Sequence, residues 1–138
     1  MPENSIHFTN SLNATYCSMW YLEHNKMISI VWKGTAPADN VRKVKESLLD
    51  LIKGKDCQAI MNDVQQFFSA PADLLRDLGA TEWDAEVSHL GVKYLVHVLN
   101  ESTPIPTETD EPGPGGLIIK HFHHKMDALG WIKQHISD

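Results

Sequence analysis

Hydrophobic and polar positions alternate over residues 16–22, and again over 27–33, with the polar break Glu23-His24-Asn25-Lys26 between the two runs. Alternation of this kind predicts two strands joined as a hairpin. Gly34 ends the second run, and the period then changes. Val41, Val44, Leu48, Leu51 and Ile52 recur at helical spacing, while Arg42, Lys43, Lys45 and Glu46 hold the wet side. Pro37 suits a first helical turn with Thr35 or Ala36 as the cap, and Gly54 is placed to close the helix.

A short apolar run over 59–64, carrying Asn62 and Asp63, predicts a buried strand. Ser69 followed by Pro71 opens the next helix, whose apolar side is marked by Leu75, Leu78, Trp83, Val87 and Leu90. Gly79 interrupts it, and Thr81 with Asp84 resembles a restart cap, so this helix is kinked or in two pieces. Strands follow at 94–99 and 117–122, and a last helix buries Met126, Leu129, Ile132 and Ile136. Residues 1–14 are polar and unpatterned, and read as an arm. The order predicts one α/β domain over 15–138: an N-terminal hairpin, then βα units, in a mixed five-stranded sheet with a parallel body.

Residues 100–116 hold four of the seven prolines and three of the eight glycines, which excludes a regular element and predicts a flexible loop. This loop also changes the meaning of the net charge of −6. Glu101, Glu108, Asp110 and Glu111 lie in it with no Lys or Arg, so the rest of the chain carries 12 basic against 14 acidic residues. A near-neutral body has no basic face for nucleic acid. No stretch is apolar and long enough to span a bilayer, and the start of the chain has no secretory pattern, so a cytoplasmic protein is expected. Two cysteines 40 positions apart, Cys17 and Cys57, read as reduced, buried thiols.

The residues that carry a family likeness are Trp32-Lys33-Gly34 at the end of the hairpin, Ile60-Met61-Asn62-Asp63 at the next strand, and Trp83. They continue with Gly91-Val92-Lys93-Tyr94, and with Phe122 ahead of Ala128-Leu129-Gly130-Trp131-Ile132. Over roughly residues 15–136 the chain resembles the SpoIIAA-like superfamily, which contains the STAS (anti-sigma-factor antagonist) domains, and above all its small single-domain bacterial members. The resemblance implies a consecutively wound sheet with helices mainly on one face, and a regulatory rather than catalytic role. It also implies a phosphorylated Ser or Thr after the third strand, within Asp-Ser-Ser/Thr-Gly. Here the stretch reads Asp63-Val64-Gln65-Gln66-Phe67-Phe68-Ser69-Ala70, with no Ser/Thr-Gly step and with Ser69 as the hydroxyl in reach.

Candidate chemistry is sparse. Asp63, Asn100 and His123, with Lys33, fall at the carboxyl ends of strands, where ligands gather in parallel sheets. His121 and His123 share one strand face, which His97 of the neighbouring strand can join, but no Cys or Asp completes a metal set. No phosphate loop, nucleophile elbow or His-Glu-x-x-His pair is present. No cofactor and no metal are therefore expected. One sheet face is expected to show Met27, Ser29, Val31, Met61, Leu95, His97, Leu99, Ile119 and His121, a mixture suited to cover by the arm, a second copy or an apolar ligand. The expected function is a non-enzymatic interaction or regulatory module, with a homodimer, a regulatory protein or a small apolar ligand as partner. A lipid- or small-molecule-binding module is the alternative, and an enzyme using Asp63 and His123 the third reading. The surface expected to carry it is Asp63, Ser69, His97, Asn100, His121 and His123.

Overall fold

A computed structural model describes residues 5–68, 81–108, 110–113 and 115–136. Six strands form one mixed sheet in sequence order, β1 (Ile6–Thr9), β2 (Thr15–Leu22), β3 (Met27–Gly34), β4 (Ala59–Phe67), β5 (Tyr94–Val98) and β6 (Ile118–Phe122). The first two pairings are antiparallel and the last three parallel. The α/β class, hairpin and parallel body are as expected, but the sheet has six strands, not five. The segment expected to be an arm supplies β1. Ile6 and Phe8 alternate with His7 and Thr9, and pairing Ile6 with Met19 and Phe8 with Cys17 packs both apolar side chains against the core. An Asn10 side chain sets the turn that follows, accepting from the N–H groups of Leu12 (2.9 Å) and Ala14 (3.0 Å).

Three helices are described: α1 (Ala38–Ile52), α2 (Thr81–His89) and α3 (Lys125–His135). The expected apolar stripe of α1 is buried through Val41, Val44, Leu48 and Ile52. Its N-cap is Pro37 itself, with no side-chain cap, because the position needs no N–H and proline's φ of −67° already fits. The expected helix opening at Ser69 falls on residues 69–80, which lie outside the described residues. From Thr81 onward α2 buries Trp83 and Val87, and Gly91 at φ +107° turns the chain into β5. In α3 the buried positions are Ala128 and Ile132, whereas Met126, expected in the stripe, is 76% exposed on the opposite side. Among the described residues no helix is long and apolar enough to cross a membrane.

The core has two layers. Helices α1 and α2 cover one sheet face through Ile28, Ile30, Trp32, Ile60, Val64, Leu95 and Leu99. Helix α3 covers the other through Met27, Ala59, Met61, Val96 and Val98. Burying each of the Val, Leu, Ile and Met side chains contributes roughly 1.5–3 kcal/mol. The nine residues expected to share one open face are thus split between two covered ones. The parallel register places Met61 opposite Val96 and Asn62 opposite His97, so Met61 and His97 point to opposite sides. Alternation within a strand does not determine the phase between strands.

Candidate functional site

On the α1/α2 face, a row of polar side chains crosses four adjacent strands. Nε1–H of Trp32 on β3 donates to Oδ1 of Asn62 on β4 at 2.7 Å. Nδ2–H of Asn62 reaches Nδ1 of His97 on β5 at 3.1 Å. The ring of His97 lies 5.2 Å, centroid to centroid, from that of His121 on β6. Nδ1 of His121 is 3.0 Å from Oε2 of Glu108, in the loop between β5 and β6. Trp32, Asn62 and His97 are buried, and an unpaired polar group there would cost about 1–3 kcal/mol, so the pairings fix how the strands meet.

The hydrogen bonds also set the imidazole protons. An amide N–H only donates, so Nδ1 of His97 accepts and its proton is on Nε2. Burial, with His121 beside it as the lesser cause, pushes the His97 pKa down to about 3, so the ring is neutral at ordinary pH. A carboxylate only accepts, so Nδ1 of His121 carries the proton.

The loop closes over the edge of the sheet at this point. Strand β6 is an edge, and Oε2 of Glu108 accepts the outward backbone N–H of His121 at 3.0 Å. Nζ of Lys120 bonds Asp110 and lies 3.9 Å from Oε1 of Glu108. That hydrogen bond from Lys120 holds the Asp110 carboxyl below its ordinary range. The backbone N–H of Gly113 donates to the Leu117 carbonyl at 2.9 Å. Between the loop and β6 is a cavity of about 270 Å³, lined by Thr107, Glu108, Glu111, Gly113, Leu117, Ile119 and His121.

The remaining candidates form a separate cluster at the carboxyl ends of the parallel strands. Oδ1 of Asp63 accepts the backbone N–H of Gln65 at 3.0 Å, and its Oδ2 is 3.9 Å from Nζ of Lys125. The side chain of Gln65 donates to the His123 carbonyl at 2.9 Å, and Asn100 donates to the Gln65 carbonyl at 3.3 Å. Nε2 of His123 donates to the Thr103 carbonyl at 2.7 Å. These bonds anchor the first part of the loop. Beside them is a crevice of about 340 Å³, lined by Val64, Phe67, Phe68, Leu99, Asn100, Ser102 and Thr103.

The structure therefore brings His97 and His121 together, as their strand positions implied. It places His123 elsewhere, bonded to the loop, and Ser69 lies outside the described residues. Among the described residues no group of three or more His, Cys, Asp or Glu is arranged to hold a metal. Glu108 and Asn62 are not among the expected site residues: nothing in the spacing ties a loop glutamate to a strand 13 positions later. Cys17 and Cys57 are free and buried, and burial pushes both thiols up, Cys57 to about 12. No family model, curated protein or solved structure matches the chain.

Proposed function

We propose that this chain is a non-enzymatic interaction module of the SpoIIAA/STAS-like kind, docking a partner protein at the carboxyl ends of β4 and β5. The observation that carries this reading is Phe68. Its side chain is 75% exposed at the rim of the crevice formed with Val64, Phe67 and Leu99, so an aromatic anchor stands beside an apolar slot. Asn100, Ser102 and Thr103 give the slot a polar rim. Asp63 and His123, the pair an enzyme would need, are both engaged in holding backbone and Lys125, which supports binding over catalysis. A second copy is the first partner to test. Light scattering of the purified protein should give a dimer that Phe68→Glu converts to a monomer, whereas a dimer unchanged by Phe68→Glu would contradict docking at this edge.

A second reading, a module that binds a small molecule, is favoured by the loop-covered cavity at His121, which has apolar walls and a fixed imidazole.

A further inference from the structure

We propose that the cavity between the loop and β6 is a binding site for a small organic cation, a primary amine on a short hydrocarbon body. This deepens the small-molecule reading and is independent of docking at Phe68. The floor is hydrocarbon, from Leu117 and Ile119, and the far wall is the backbone at Gly113. At about 270 Å³ the space lies just below the ~300–1,000 Å³ of pockets for drug-sized ligands, so it suits a fragment-sized body.

Its polar groups are arranged for a donor. The side chain of His121 is 10% exposed, and its Nδ1–H is committed to Glu108. Whenever the ring is neutral Nε2 is an acceptor, and it makes no hydrogen bond to a described residue. The carboxylates of Glu108 and Glu111 add only acceptors, and no Lys or Arg is among the described lining residues. Lys120 turns its Nζ to Asp110 and to the other oxygen of Glu108. His97, next to His121, is neutral and adds no positive charge. An ammonium group can donate to Nε2 of His121 and meet the carboxylate field while its chain covers Leu117 and Ile119. A carboxylate would face two like charges, and an alcohol would gain the hydrogen bond without the charge.

The test is an NMR titration of the backbone amides of the full chain at neutral pH with n-butylamine, using n-butanol and butyrate as comparators. The expected result is saturable shifts confined to Glu108, Glu111, Ile119 and His121, with n-butanol about tenfold weaker, the scale of one charge-assisted contact, and no response to butyrate. Glu111→Gln should weaken n-butylamine about tenfold. Ile119→Phe, which fills the floor, should abolish the shifts. Phe68→Glu should change nothing here, so failure of this site and failure of the docking edge are read separately. Shifts scattered over the acidic surface, an equal response to n-butanol, or no saturable response would overturn the proposal.

Discussion

The side chain of Asn62 bonds Nδ1 of His97 at 3.1 Å between two central parallel strands, with Trp32 bonded to the other end of the same amide. This relationship holds a neutral imidazole inside an apolar layer, and it makes stability depend on pH. The folded pKa of His97, about 3, lies below the ordinary 6.5. Between those values the unfolded chain binds the extra proton, so stability falls as pH drops below 6.5, by up to about 1.4 kcal/mol per unit. Urea unfolding of the protein and His97→Gln should diverge in slope over this window. Parallel curves would show that His97 does not titrate on unfolding.

Asp84 works in the opposite direction. Burial raises its pKa to about 6, with Lys45 opposing the shift, and its Oδ1 has no hydrogen-bond partner among the described residues. The folded chain then binds the extra proton between the ordinary 3.8 and 6, so this carboxylate destabilises above pH 6 and the penalty fades as pH falls. Asp84→Asn should raise stability at pH 8 by about 1 kcal/mol and lose that advantage near pH 4. Thermal midpoints at the two pH values measure it.

Replacing Trp32 with Phe removes the only proton that the indole gives Asn62. The amide oxygen remains buried, so the variant should lose about 1–3 kcal/mol in addition to the cost of the cavity that the smaller ring leaves. Denaturant unfolding of Trp32→Phe alone and combined with Asn62→Leu tests the pairing. The second change should cost less in the Phe background than in the native one.

Both thiols should resist labelling in the folded state. Cys17 and Cys57 are 1% and 2% exposed, and burial disfavours their thiolates. A thiol reagent should react with two groups in denaturant and slowly, at the rate of opening, without it.

Much of this fold is legible in local pattern. The change from alternating to helical spacing between Trp32 and Val41 marks the hairpin and α1, and Gly91 marks the entry to β5. What depends on pairing between distant segments is not. Ile6 and Phe8 are too short a pattern to distinguish an edge strand from an arm until Met19 and Cys17 are set beside them. Parity within β4 and β5 does not say that Met61 and His97 face opposite ways, because that follows from register. His97 and His121 could be expected to meet, being on neighbouring strands. The partner that completes the site, Glu108, is carried by a Pro- and Gly-rich loop whose path leaves no periodic trace.

Docking of a partner at the carboxyl ends of β4 and β5 is open to site-specific photo-cross-linking in the cells that make the protein. A photoreactive residue replaces Phe68, and a control replaces Met126, equally exposed on α3. One recurrent cross-linked protein, a second copy or another chain, is expected at position 68 and not at 126. Equal products at both positions, or none at 68, would contradict it.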